Sequence, residues 1–168
     1  MDFDVAALHA ALDQQRKARG LTWAQLTREI NGQCERLPLR SIASSTITGM
    51  RKRQVLEGDG VLQMLRWLGR APEDFVPGHP QSAPGTALPP VARGRILRFD
   101  LPAIYAAIDA RRAERGMTWA ETAREIGGFS VAGLTRMAKG GRTAFPHVVR
   151  IARWLRRPVA TLTRTVDS

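Results

Sequence analysis

At 168 residues and 18.5 kDa, the chain has room for one ordinary domain or two small ones, which excludes a large multi-domain enzyme. Hydrophobic residues make up 43% and charged residues 24%, a globular balance that excludes disorder throughout. The 26 Lys and Arg against 15 Asp and Glu give a net charge of +11 and a pI near 11.5, which attracts polyanions. Arginine supplies nearly all of that charge, the lysines being Lys17, Lys52 and Lys139. GC-rich coding alone also yields an arginine- and alanine-rich chain, so charge does not decide function by itself. The single cysteine, Cys34, excludes an intramolecular disulfide and a thiolate metal cluster, and His9, His79 and His147 are too scattered to replace the missing ligands. No metal and no cofactor is therefore expected. The acidic start Met1-Asp2-Phe3-Asp4 is unlike a signal peptide, and no apolar run approaches the roughly 18 residues that span a bilayer. The expectation is a cytoplasmic, nucleoid-associated protein with no membrane partner.

The first predicted element is a helix opened by Asp4 as N-cap, with Leu8, Ala11 and Leu12 on one face, and closed by Gly20. Thr22-Trp23-Ala24-Gln25 is a capping box that starts a second, short helix, which stops at Asn31-Gly32 through a residue suited to the left-handed conformation. A third helix is predicted over Ser44–Arg53. A fourth carries VLQMLRWLGR, with Val61, Met64, Leu65 and Leu68 as its apolar stripe. Residues 76–95, VPGHPQSAPGTALPPVARGR, have no apolar periodicity and read as a linker. At about 3.1 Å per residue it could reach roughly 60 Å, so it does not by itself dictate how its two sides are arranged.

Beyond the linker the pattern starts again. Residues 3–30, FDVAALHAALDQQRKARGLTWAQLTREI, superpose without a gap on 99–126, FDLPAIYAAIDARRAERGMTWAETAREI, with 15 of 28 positions identical. Residues 44–75 superpose on 131–162, sharing Thr48/Thr135, Met50/Met137, Lys52/Lys139 and the run Arg66-Trp67-Leu68 with Arg153-Trp154-Leu155. The offsets of 96 and 87 place a nine-residue insertion, within 31–43, in the first unit. The second unit repeats the signals: Asp100 as N-cap with Pro102 just inside, Leu101, Ile104 and Ile108 on one face, Gly116, the Thr118-Trp119-Ala120-Glu121 box, Gly127-Gly128, a helix over Val131–Lys139 and the stripe Val148, Ile151, Ala152 and Leu155. No stretch alternates as a strand would. The predicted fold is all-α: two tandem bundles of four to five helices each, over 1–75 and 96–168, joined by the linker.

A helix, a tight glycine-containing turn and a short helix, packed on flanking helices, form the helix-turn-helix arrangement. The second unit, in its spacing from Gly116-x-Thr118 through Ala123 and Gly127 to Ser130, Leu134-Thr135-Arg136 and Lys139-Gly140-Gly141-Arg142, resembles the lambda-repressor-like (Cro/repressor, xenobiotic-response-element) helix-turn-helix family along its whole length. The first unit is similar but lengthens, with NGQCERLPLR, a turn that the family keeps short. The resemblance implies that the third helix of each unit enters the DNA major groove. Base contacts would then come from Ser130, Val131, Ala132, Thr135 and Arg136 in the second unit and from Ser44, Ser45 and Thr48 in the first. Arg136 is the guanidinium suited to a bidentate bond with guanine. Because the two sets differ in kind, the two half-sites should differ in sequence. Phosphate contacts are expected from Thr22, Trp23, Arg51, Lys52 and Arg53, and from Thr118, Trp119, Lys139 and Arg142. The family generally has glutamine where Trp23 and Trp119 stand, and packing against the first helix is the competing role for these indoles. Trp67 and Trp154, inside amphipathic helices, are expected in the core. Arg93-Gly94-Arg95 resembles a minor-groove arm, for which a solvated basic linker is the simpler account.

The resulting expectation is a sequence-specific reader of double-stranded DNA, a transcriptional regulator with two covalently linked units acting as a pseudo-dimeric monomer or as a homodimer. Tethering would raise the effective concentration of the second unit to roughly millimolar. Catalysis has little to rest on: Glu29 and Glu125 recur without a histidine or second acid, and Gly127-Gly128 and Gly140-Gly141 lack the strand and lysine spacing of a phosphate loop. The stronger rival is an antitoxin-like or protein-interaction module, with a protein partner at the 31–43 insertion and DNA binding confined to one unit or absent. The charge asymmetry fits such a split, since residues 100–168 carry 12 basic and 6 acidic side chains and residues 1–79 carry 11 and 9.

Overall fold

The computed structural model describes residues 2–33, 42–52, 56–79 and 84–167, and these form a mostly helical fold. Along the chain come α1 (Val5–Ala18), α2 (Trp23–Asn31), α3 (Ser44–Thr48), α4 (Gly58–Leu68) and the 3₁₀ turn η1 (Pro72–Phe75). After the intervening segment the same order returns: α5 (Leu101–Glu114), α6 (Trp119–Ile126), α7 (Val131–Met137), α8 (Phe145–Leu155) and η2 (Val159–Leu162). Among the described residues, no helix is long and apolar enough to cross a membrane.

The local signals act as predicted at most helix ends. Asp4 accepts from the Ala7 N–H at 2.9 Å and Asp100 from the Ala103 N–H at 3.2 Å. Both Thr-initiated boxes close, Thr22 with Gln25 and Thr118 with Glu121, each through two reciprocal hydrogen bonds. One stop differs from its prediction. Gly127 ends α6 at φ +82°, whereas Gly32 ends α2 in right-handed geometry at φ −71°. In the first half the termination falls instead to Asn31, whose side-chain amide donates to the Ile42 carbonyl and whose oxygen accepts the Ile42 N–H. That pair ties the last residue of α2 to the approach to α3. The third helices are shorter than predicted, ending at Thr48 and Met137.

Two strands, which helical periodicity gave no reason to expect, form an antiparallel pair: β1 (Arg95–Phe99) and β2 (Thr163–Asp167), in register Leu97 with Thr165 and Phe99 with Thr163. Among the described residues the first half shows no such pair, and the positions matching Thr163–Val166 are Val76-Pro77-Gly78-His79, where proline lacks an N–H and glycine weakens a strand. Arg95, predicted as the end of a solvated linker, is the first residue of β1. Its guanidinium donates to the Thr165 carbonyl at 2.8 Å and pairs with Asp167 at 2.8 Å, so it does not form a free arm. Thr86 is also buried, which places that part of the linker against the fold rather than in solvent.

The two halves dock through reciprocal contacts. The Gly58 N–H donates to the Thr143 carbonyl and the Phe145 N–H to the Leu56 carbonyl, both at 2.8 Å, an isolated antiparallel bridge centred on Glu57 and Ala144. At the repeat offset of 87, Glu57 and Ala144 are the same position, as are Leu56 and Thr143, and Gly58 and Phe145. Each bond is therefore the mate of the other, and an approximate two-fold axis runs through the bridge. The flanking contacts obey the same relation. Gln63 of α4 donates to the Leu97 carbonyl just before α5, and its counterpart Arg150 of α8 pairs with Asp2 just before α1. Phe3 and its counterpart Phe99 both pack on the fully buried Phe145, with ring centroids 4.6 and 5.7 Å away.

Phe145 fills the axis from one side only, because its counterpart is glycine. A Cβ on Gly58 would stand 2.9 Å from the Phe99 ring and 3.1 Å from the Thr143 carbonyl. Gly58→Ala is expected to destabilise the fold by roughly 1–3 kcal/mol in urea unfolding, with part of the loss restored when Phe99→Leu is added to make room.

Candidate nucleic-acid interface

In α7 the buried side is Leu134 and Met137, and the side facing solvent is Val131, Ala132, Thr135 and Arg136. Leu134 and Met137, three residues apart, share one face of the helix, and the exposed residues flank them. Val131 is 38% exposed, the one large exposed hydrophobic side chain among the described residues. Ser130 is exposed but engaged, since its hydroxyl caps α7 by accepting from the Gly133 N–H at 3.0 Å. In α3, Ile47 is buried while Ser45 and Thr48 are exposed. The Ser44 hydroxyl turns inward and donates to Thr27 of α2 at 3.1 Å. Of the eight residues named for base contact, the structure thus presents Ser45, Thr48, Val131, Ala132, Thr135 and Arg136 outward and uses Ser44 and Ser130 locally.

The residues named for phosphate contact divide similarly. Arg51, Lys52, Lys139 and Arg142 are exposed, in the segments that run from α3 and α7 toward the central bridge. Arg53 lies outside the described residues, as does 34–41 of the insertion. Thr22 and Thr118 are exposed with their hydroxyls in the capping boxes. Trp23 and Trp119 are half-buried against the preceding helices. Trp23 lies between the His9 ring, at 5.2 Å, and the Arg16 guanidinium, at 4.7 Å; Trp119 lies between Tyr105, stacked at 5.0 Å, and Arg112, at 4.8 Å. The packing role considered for these indoles is the one the contacts display. Trp154 is buried as expected, but Trp67 is half-buried, its indole N–H donating to Glu29 at 2.9 Å.

Glu29 and Glu125, rejected as catalytic from the sequence, act as struts. Arg19 at the end of α1 grips Glu29 of α2 at 2.6 and 3.0 Å, and Arg115 at the end of α5 grips Glu125 of α6 at 2.9 and 3.1 Å. These pairs hold the helix preceding each turn against the first helix. The Trp67 N–H, and then Arg19, hold the Glu29 carboxyl below its ordinary value, and Arg115 does the same for Glu125. His9 and His147 are lowered by burial and then by Arg51 and Arg150 respectively, which favours their neutral forms.

A contact that the sequence did not suggest reaches the turn between α6 and α7. Arg150 of α8 packs beneath Gly128 so closely that a Cβ there would collide with its guanidinium, while the same guanidinium pairs with Asp2 at 2.9 and 3.0 Å. The opening residues of the chain thereby brace the turn of the second half. Only the repeat offset, which sets Arg150 opposite Gln63, held a trace of it.

No family model matches the chain, and comparisons with curated proteins and with solved structures find no match.

Because the folded pKa values of Glu29 and Glu125 are depressed, their contribution is fully present above the ordinary carboxylate value of 4.5 and is lost as pH falls below it. The combined change Glu29→Gln and Glu125→Gln should lower the unfolding midpoint at neutral pH and shrink its fall between about pH 5 and pH 3, measured by thermal unfolding across that range.

Proposed function

We propose that the chain is a sequence-specific double-stranded DNA-binding protein, a transcriptional regulator that reads a bipartite site with two tandem helix-turn-helix units, α3 and α7 being the recognition helices. The observation that carries this reading is the outward face of α7, where Val131, Ala132, Thr135 and Arg136 are all exposed beside Lys139 and Arg142 on a chain of net charge +11. A methyl-bearing surface suits the thymine C5 methyl, a guanidinium suits guanine N7 and O6, and the flanking cations suit phosphates. The reciprocal docking supports a pseudo-dimer. α3 and α7 are equivalent about the axis through Glu57 and Ala144, so they stand at the same height along it, as the recognition helices of a dimer do on inverted half-sites. Docked halves also favour a single half-site spacing, near one helical turn of ~34 Å.

The half-sites would be unequal. α3 is five residues long and offers Ser45 and Thr48, with Gly49 where α7 has Arg136. The second half therefore carries most of the discrimination, and the first mainly positions.

Selection from a random duplex library with the full chain is expected to yield one inverted, unequal bipartite motif of a single spacing. On that site, Arg136→Ala should cost roughly 1–3 kcal/mol and relax preference at one base pair, while Lys139→Ala should weaken every sequence alike and flatten the salt dependence. Lack of enrichment at low salt would instead favour the protein-interaction reading, with the 31–43 insertion as its docking place. Equal effects of both substitutions on selected and random DNA would overturn the roles given to these residues.

A further inference from the structure

Since the halves are repeats, each side chain has a counterpart against which its surroundings can be judged, and two departures from the repeat meet in one cavity. This half-open cavity, of about 340 Å³, lies where Glu73, Val76, His79 and Thr86 face the C-terminal end of α8 and η2. The first departure is Glu73, whose counterpart is Ala160. Glu73 is only 7% exposed; its Oε1 accepts the Val159 N–H at 2.7 Å, but its Oε2 is buried without a hydrogen-bond partner. A buried carboxylate oxygen left unsatisfied is costly, and the second half does without any carboxylate there.

The second departure is Arg156. It ends α8 at φ +56°, the one non-glycine residue of positive φ among the described residues, where its counterpart Gly69 takes φ +65° without penalty. Both Arg156 and the neighbouring Arg157 are exposed and line the same cavity, whose apolar wall includes Val76, Val149 and Val159. Neither the orphaned oxygen nor the strained arginine is needed for packing, as the other half demonstrates by lacking both.

We propose that this cavity binds a small zwitterion, an α-amino acid with an apolar side chain. Its ammonium group donates to Glu73 Oε2, its carboxylate accepts from the Arg156 and Arg157 guanidiniums, and its side chain rests on the valines. A simple amine would meet a wall that holds three arginines, Arg153, Arg156 and Arg157, and a simple acid would meet Glu73, so the charge arrangement selects a molecule carrying both signs. The site draws on both halves and does not depend on the nucleic-acid reading.

Thermal unfolding of the full chain tests this through titration with L-leucine, with isoamylamine, which lacks the carboxylate, and with 4-methylpentanoate, which lacks the ammonium. L-Leucine at ten times its dissociation constant should raise the midpoint by about 3–6 °C, with little change from either truncated compound at the same concentration. Glu73→Gln keeps the acceptor for the Val159 N–H, and Arg156→Gly restores the residue used by the other half and should raise the midpoint without ligand. Each variant is expected to weaken leucine binding about tenfold or more, read by calorimetric titration. The proposal is overturned if L-leucine, L-valine and L-phenylalanine all fail to give a saturable rise, if either truncated compound matches leucine, or if both variants bind leucine as the parent does.

Discussion

The arrangement rests on a pair of backbone hydrogen bonds, Gly58 N–H to Thr143 and Phe145 N–H to Leu56, that join equivalent positions of a duplicated sequence. Two bonds of this kind are worth only about 1 kcal/mol each. Their importance is geometric, because an antiparallel bridge between equivalent residues imposes a local two-fold relation, and everything attached to the two strands of the bridge must follow it. Phe3 and Phe99 are then both brought onto Phe145, and the apolar surfaces of α4 and α8 are removed from water together. Burial at roughly 25 cal/mol per Å² of apolar surface, rather than the bridge itself, supplies the driving force.

Such a relation between two copies on one chain relieves a constraint that binds true dimers. In a homodimer, each side chain on the axis meets its own twin, so a large residue there collides with itself. Here the copies have diverged: Phe145 occupies the axis because Gly58 leaves it, and the close approach of the Phe99 ring to Gly58 uses the same space. The freedom extends outward. One half ends its second helix with a left-handed glycine and a short turn, the other with Asn31 pinned to Ile42. The third helix of one half carries Arg136, and the same position of the other half is Gly49, just past the end of α3. A symmetric scaffold thus presents two unlike surfaces.

The same divergence tells support from specificity at the proposed interface. Features kept in both halves are structural: the capping boxes, the arginine–glutamate struts and the cation–indole–ring stacks on Trp23 and Trp119. They fix where the short third helices stand. Features that differ include Ser45 against Ala132, exposed in both halves, and Arg136, exposed where its counterpart is the half-buried Gly49. Exposed positions that vary on an invariant frame are where a reader of two different half-sites would carry its information.

The helices, their caps and their order were legible in the sequence, because caps and amphipathic stripes act within a few residues and because each signal occurred twice. The outward residues of α7 were named in advance only through the helix-turn-helix resemblance, and the burial of Leu134 and Met137 appears in the folded chain. Tertiary structure alone decided the rest. The strands β1 and β2 pair residues 95–99 with 163–167, too far apart for any local pattern to announce, and β1 ends at Phe99, directly before the Asp100 that caps a helix. The inward turn of Ser44, the strut role of Glu29 and the brace from Asp2 to Arg150 each depend on a partner brought close by packing. The two-fold docking was latent in the repeat, yet a duplicated sequence says only that two copies exist. How they meet was settled by a glycine opposite a phenylalanine, a complementarity of shape that exists only once both backbones are in place.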